Sequence, residues 1–132
     1  MPSSSAPGML KTMSLRVLVA DDSAEFLQAA CSLLEREGLT VVGRARTGAE
    51  AIRRAADHDP DVVLLDIGLG DENGFDVAER LRHRARARAQ VILISARPEE
   101  DFGDLVEASP AIGFLPKARL SANAVIRLLD GT

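Results

Sequence analysis

The chain contains five short apolar runs that alternate with segments of helical character. The runs cover residues 15–20, 40–44, 62–66, 91–95 and 112–115. The first, third and fourth consist largely of Val, Leu and Ile, which is typical of strands that helices cover on both faces. Strand and helix alternate five times along the chain. This pattern predicts a three-layer, doubly wound α/β domain with a five-stranded parallel sheet.

Capping residues at the predicted helix boundaries support this division. Ser23 is positioned to cap the first helix and Gly38 to end it, while Thr47 with Glu50 three residues later has the pattern of a capping box. Pro98 is followed by three acidic residues, which a helix N-terminus favours. We expect one domain over residues 15–130, preceded by a mobile tail over residues 1–14.

The composition excludes several classes of protein. The 132 residues fit a single domain, and the net charge of -4 argues against a nucleic-acid-binding surface. Cys31 is the only cysteine, so an intramolecular disulfide is impossible. No apolar stretch approaches the roughly 18–20 residues that span a bilayer, and residues 1–14 do not resemble a signal peptide. We therefore expect a cytoplasmic protein that does not contact membranes.

Polar side chains stand at the ends of four of the five predicted strands. Asp21 and Asp22 follow the first strand, Asp66 ends the third, Ser95 ends the fourth and Lys117 follows the fifth. In open parallel sheets, ligands bind outside the carboxyl ends of the strands. These five side chains should therefore meet at one edge of the sheet.

Together these groups have the chemistry that phosphoryl transfer requires. Unpaired carboxylates at close range repel one another, and a hard cation such as Mg²⁺ relieves that repulsion through oxygen ligands. Lys117 offers a positive charge and Ser95 a hydroxyl group to phosphate oxygens. A carboxylate can itself attack phosphorus and become an aspartyl phosphate. We therefore expect a magnesium-dependent phosphoryl site.

Four segments resemble the signature segments of response-regulator receiver domains: VLVADDS, DVVLLDIGLGDENGFD, VILISA and GFLPK. The resemblance covers about residues 14–130, and the four segments have the family's order and spacing. It implies a flavodoxin-like (βα)5 fold with the strand order 2-1-3-4-5. It also implies a signalling role in a two-component system.

The resemblance implies a role for each acidic residue of the site. Asp66 matches the phosphoacceptor. Asp22 and Asp66 match direct Mg²⁺ ligands, and the carbonyl group of Gly68 matches the third protein ligand. Asp21 matches the acidic partner that acts through water.

The resemblance also implies the remaining roles and shows three departures. Ser95 matches the hydroxyl that follows the phosphoryl group, Lys117 the family's lysine, and Phe114 the aromatic residue that changes rotamer on phosphorylation. Gly70 stands where proline is frequent, which predicts a looser loop. Ala118 replaces a common proline and puts the usual cis peptide bond in doubt, and Phe114 replaces a frequent tyrosine.

The function implied is a phosphorylation switch and not an enzyme, with at most slow autodephosphorylation. A histidine kinase or phosphotransfer protein would donate the phosphoryl group, an unidentified protein would receive the signal, and a homodimer is compatible with the family. We expect a stand-alone switch. The alternative is the receiver part of a truncated or degenerate DNA-binding transcription regulator, which the segment AIGFLPKARLSA favours.

Two other classes of protein share part of this chemistry. Haloacid-dehalogenase enzymes also use an Asp nucleophile with Mg²⁺, but their nucleophile follows the first strand. A flavodoxin-like FMN binder would need a hydroxyl- or glycine-rich loop after the first strand, and this chain has none. The arginine-rich run over residues 80–88 is interpreted as a solvated helix end, with a docking patch for an acidic partner as the alternative.

Overall fold

The computed structural model of the chain describes residues 15–84 and 89–131. Five parallel strands form one sheet: β1 (Arg16–Ala20), β2 (Thr40–Ala45), β3 (Val62–Asp66), β4 (Gln90–Ser95) and β5 (Gly113–Pro116). Their order is β2-β1-β3-β4-β5, which confirms the predicted order 2-1-3-4-5. Each predicted strand agrees with the observed one to within one residue at either end. The tail predicted over residues 1–14 lies outside the described residues.

Helices cover both faces of the sheet. They are α1 (Ala24–Arg36), α2 (Gly48–His58), α3 (Gly74–Arg84), α4 (Leu105–Ala108) and α5 (Ala122–Leu129). One core cluster packs α1 and α5 against the sheet, and a second packs α2, α3 and α4 against the opposite face. The predicted three-layer architecture is therefore confirmed. No helix in residues 15–84 and 89–131 is long and apolar enough to cross a bilayer.

The alternation of side chains along each strand builds these two cores. Val17 and Val19 of β1 belong to one cluster, whereas Leu18 and Ala20 belong to the other. Successive residues of a strand point to opposite faces of the sheet, so a continuous apolar run supplies both cores. All five residues of β3 are buried. Because each buried Leu or Val side chain contributes about 1.5–3 kcal/mol, β3 holds the centre of the sheet firmly.

The helix caps agree with the sequence prediction, with one difference in detail. The Thr47 hydroxyl accepts a hydrogen bond from the Glu50 N–H at 3.1 Å, so Thr47 caps α2. The Glu50 carboxylate, however, accepts from the N–H of Arg46 at 2.7 Å, one residue before the donor that a capping box uses. Gly38 follows α1 with φ of 101°, a conformation that glycine adopts readily.

The helical segment after Pro98 is shorter than the acidic residues there suggest. It consists of a 3-10 turn, Glu99–Phe102, followed by the single turn of α4. Gly103 interrupts the two with φ of 60° and ψ of −129°, which is outside the helical region. The helix N-terminus was therefore predicted at the correct place, but not the break one turn later.

The segment between β3 and α3 returns tightly onto the end of β3. Gly68–Leu69 and Glu72–Asn73 form a small antiparallel hairpin, and the Gly74 N–H donates to the Ile67 carbonyl at 2.7 Å. A Cβ atom at position 74 would lie 2.5 Å from the carbonyl oxygen of Asp66. Backbone cannot move aside as a flexible side chain can, so glycine is required there.

We expect Gly74→Ala to lower the free energy of unfolding by about 1–3 kcal/mol, because the added methyl group overlaps the backbone at the end of β3. Gly68→Ala is the matched control, since a Cβ atom there would meet no atom within 4 Å. Urea unfolding of the two variants and the wild type provides the measurement. Equal stability of Gly74→Ala and wild type would contradict the close approach.

Candidate functional site

Three carboxylates meet at the carboxyl ends of β1 and β3. Asp21 and Asp22 follow β1 directly, and Asp66 is the last residue of β3, its neighbour in the sheet. One oxygen atom from each of the three lies within 4.8 Å of the others. Asp21 is fully buried and Asp66 is 6% exposed, whereas Asp22 faces solvent. The predicted convergence of these side chains is therefore present.

Lys117 brings a positive charge to the same place. It begins the 3-10 turn that follows β5, and its side chain is largely buried. The Lys117 Nζ lies 2.5 Å from Asp21 Oδ2 and 3.5 Å from Asp66 Oδ2. The ammonium thus pairs more closely with Asp21 than with Asp66.

The pKa of Asp66 is raised from 3.8 to about 6. Burial is the largest cause, because it disfavours the charged form, and the nearby Asp21 carboxylate adds to it. The Lys117 ammonium and the N–H of Gly68, which donates to Asp66 Oδ1 at 3.2 Å, act in the opposite direction. These two partners do not fully compensate the charge of Asp66.

Asp21 is better accommodated than Asp66. Its Oδ1 accepts a hydrogen bond from the Ser23 N–H at 2.9 Å, and its Oδ2 faces the Lys117 ammonium. The repulsion expected among three unpaired carboxylates is therefore concentrated on Asp66. Removal of Asp21 would take the acceptor from the Ser23 N–H and leave the Lys117 ammonium with Asp66 at 3.5 Å.

The donor set fits a hard divalent cation. Carboxylate oxygens are the ligands that Mg²⁺ prefers, and one or two carboxylates with phosphate oxygens and water commonly complete its coordination. Asp22 is exposed and offers an entry path from solvent, while the buried Asp66 carries a raised pKa that a nearby cation would lower. Each of Asp21, Asp22 and Asp66 can offer one carboxylate oxygen to such a cation, and these three atoms lie within 4.8 Å of one another.

Ser95 ends β4, two strands from β1, and is 5% exposed. Its hydroxyl oxygen accepts a hydrogen bond from the Arg97 N–H at 2.9 Å. A hydroxyl that accepts one bond keeps its own proton for donation. Ser95 is therefore held at the predicted sheet edge with a donor still to use.

Phe114, on β5, belongs to a row of three aromatic rings. Its ring centroid lies 6.0 Å from that of Phe102, and Phe102 lies 6.1 Å from Phe75. The Arg97 guanidinium lies 5.4 Å from the centre of the Phe102 ring. Ser95 and Phe114 are thereby linked through Arg97 and Phe102.

The loop after Asp66 accounts for one departure from the family pattern. Gly70 has φ of 62°, a conformation that proline cannot adopt, and its N–H donates to the Gly68 carbonyl at 3.0 Å. In place of the looser loop that the sequence suggested, the segment forms the hairpin described above. The Lys117–Ala118 peptide bond is trans.

Two residues near the site were not identified from the sequence. The Phe26 ring lies 4.4 Å from the Lys117 Nζ, and the Arg46 guanidinium donates to the Asp22 carbonyl through Nε at 3.2 Å and Nη2 at 2.9 Å. Phe26 follows Asp22 by about one helical turn, and this spacing could have indicated that its ring lies near the site. Its apolar neighbours in α1 made the ring look like an ordinary core residue.

Comparisons with known proteins agree with this arrangement. Residues 17–127 match the model of the response regulator receiver domain. The chain is 46% identical over 95 residues to the transcriptional regulatory protein KdpE of Mycobacterium tuberculosis, covering 72% of this chain and 40% of that protein. It is also 32% identical to a putative transcriptional regulator of Pseudomonas aeruginosa, covering 84% of this chain and 56% of that one.

A solved structure gives the same result. The receiver domain of the putative response regulator NarL from Mycobacterium tuberculosis superposes with a TM-score of 0.78 at 31% identity, covering 90% of this chain and 98% of that one. The chain spans less than two thirds of the length of the two curated relatives above. The family match, by contrast, extends over most of the chain. The protein belongs to the response-regulator receiver domains of two-component systems.

Proposed function

We propose that this chain is a phosphorylation-activated receiver in which Asp66 accepts a phosphoryl group from a histidine kinase or a phosphotransfer protein. The observation that carries the proposal is the convergence of Asp21, Asp22 and Asp66 within 4.8 Å, with the Lys117 ammonium beside two of them. Membership in the receiver family supports this function over a dehalogenase-type enzyme or an FMN binder.

In the proposed reaction a carboxylate oxygen of Asp66 attacks the phosphorus of a phosphohistidine. An oxygen–phosphorus bond forms, the phosphorus–nitrogen bond breaks, and the imidazole leaves and takes up a proton. Asp66 must be ionised to attack, and a pKa of about 6 leaves it mainly ionised at neutral pH. Lys117 and Ser95 would then donate hydrogen bonds to the phosphoryl oxygens.

Mg²⁺ is the cofactor that we propose for this site. When bound, it neutralises charge on the carboxylates and on the transferred phosphoryl group. Asp22, Asp66 and the carbonyl of Gly68 would hold it directly, and Asp21 through water. The exposed backbone of Gly68 and the exposed side chain of Asp22 support this assignment.

The readout that we propose uses Ser95 and Phe114. A phosphoryl group on Asp66 would draw the Ser95 hydroxyl towards it, at the expense of the bond from the Arg97 N–H. Arg97 also contacts the Phe102 ring, which packs against Phe114. A change at Ser95 can thus alter the rotamer of Phe114 and the surface formed by β5 and the segment after Pro98.

For the output, we propose a stand-alone switch that signals to a protein partner, with no turnover beyond slow autodephosphorylation. A second candidate is the receiver part of a DNA-binding transcription regulator, which the identity to KdpE favours. An antibody against this domain distinguishes the two in native cells. A species of about the 14.1 kDa of this chain supports the first candidate, and a markedly larger one supports the second.

Incubation with acetyl phosphate and Mg²⁺ should add one phosphoryl group to the wild type and none to Asp66→Asn, because the amide is not a nucleophile. Asp71→Asn is the matched control, since Asp71 is an exposed carboxylate in the same loop. Intact-mass spectrometry provides the measurement. Phosphorylation of Asp66→Asn to the wild-type level would show that Asp66 is not the phosphoacceptor.

Without Mg²⁺, the stability of the wild type should fall as the pH rises from about 4 to about 6. The folded-state pKa of Asp66 lies above its unfolded value, so folding binds a proton in this window and is penalised once the proton is lost. Asp66→Asn should lack this dependence and be about 3 kcal/mol more stable at pH 7.5. Urea unfolding at several pH values tests both statements, and saturating Mg²⁺ should reduce the difference. A wild type as stable as Asp66→Asn at pH 7.5 would contradict the repulsion.

Titration with beryllofluoride and Mg²⁺ should shift the NMR signals of Phe114 and Phe102 together, along a line joining two states. The reason is that the two rings are in contact and share the proposed change at Ser95. Asp66→Asn, which should not bind the phosphoryl mimic in the same way, serves as the control. Shifts confined to the loop after Asp66 would mean that Phe114 does not report phosphorylation.

A further inference from the structure

We propose that Phe26 is a positioning residue that holds the Lys117 ammonium at the site during phosphoryl transfer, an inference that rests on the proposed function. The Lys117 Nζ lies 4.4 Å from the centre of the Phe26 ring. A cation within about 6 Å of a ring centroid and over its face is attracted by the negative charge of that face. The Lys117 side chain is 19% exposed, so water weakens this attraction less than at an open surface.

The position of the ring is tied to the site by two hydrogen bonds. The Phe26 N–H donates to the Ser23 hydroxyl at 3.1 Å, and the Ser23 N–H donates to Asp21 Oδ1 at 2.9 Å. The cap of α1 and the site carboxylate are therefore one connected unit. The ring also packs against the core cluster beneath α1, which restricts its motion. Phe26 is thus held in place before any ligand binds.

The ring offers the ammonium a partner that the reaction does not need for another purpose. The other close partners of Lys117 are Asp21 and Asp66, and both carboxylates belong to the proposed metal and phosphoryl site. The face of a phenyl ring has no lone pair with which to bind a metal. Phe26 can therefore keep Lys117 in place while Asp21 and Asp66 change partners.

A ring that only filled space would have a different signature. If the ring only filled space, leucine would replace it well, because Phe26 is half-buried and the substitution removes little packing from the core. Tyrosine would retain the aromatic face, and its hydroxyl group can reach solvent from a half-buried position. Comparison of Phe26→Leu with Phe26→Tyr therefore separates positioning from packing.

The test is the rate of phosphorylation by acetyl phosphate with Mg²⁺, followed by intact-mass spectrometry. We expect Phe26→Leu to be about fivefold slower than the wild type, within the range that a partly buried cation–π contact supports. Phe26→Tyr should stay within about twofold of the wild type. Phe75→Leu is the matched control, because Phe75 is also half-buried but contacts Phe102 instead of Lys117.

A second readout uses the metal-free protein. The protons on the Lys117 ε-carbon should be shifted upfield by the ring in the NMR spectra of the wild type and Phe26→Tyr, and this shift should be lost in Phe26→Leu. If the wild type is phosphorylated and Phe26→Leu is phosphorylated at the same rate, the positioning role is wrong but the proposed function is not affected. The positioning role is also wrong if Phe26→Leu and Phe26→Tyr are phosphorylated equally slowly although Phe26→Tyr retains the upfield shift of the Lys117 protons. A wild type that takes no phosphoryl group would overturn the proposed function, and the positioning role with it.

Discussion

The rest of this structure depends on the confinement of three carboxylates, two of them buried, at one edge of the sheet, with the Lys117 ammonium beside the two buried ones. Asp66 bears most of the cost, because burial and the charge of Asp21 raise its pKa to about 6. A buried carboxylate with a raised pKa beside other charged groups is typical of functional sites. The proposed ligands match this site, because Mg²⁺ prefers carboxylate oxygens and a phosphoryl group carries negative charge that the Lys117 ammonium can balance.

The scaffold keeps this arrangement from relaxing. Parallel strands with continuous apolar runs are buried on both faces, so their carboxyl ends cannot separate without exposing both cores. Beyond β3, Gly74 lets the backbone return close to Asp66, and the Ser23 cap fixes the start of α1 beside Asp21. Stability of the sheet is thus what maintains an electrostatically unfavourable edge.

The sequence predicted the strands and the convergence of the site well, because both depend on backbone pattern. An apolar run fixes a strand, and a parallel sheet fixes where Asp66 and its neighbours meet. The details that were missed depend on side-chain direction and local backbone geometry. The contact of Phe26 with Lys117 joins residues 91 positions apart, so no local pattern announces it. The same holds for the helix break at Gly103 and for the hydrogen bond from the Arg46 N–H to the Glu50 carboxylate, which both depend on local backbone geometry.

The central claim is that the fold places Asp66 where its charged form is disfavoured, and the pKa of Asp66 tests it directly. A ¹³C NMR titration of the Asp66 carboxyl carbon in the metal-free protein should have its midpoint near pH 6. Addition of Mg²⁺ should lower that midpoint, because a nearby cation favours the ionised form. A metal-free midpoint at or below the ordinary value of about 4 would contradict the account.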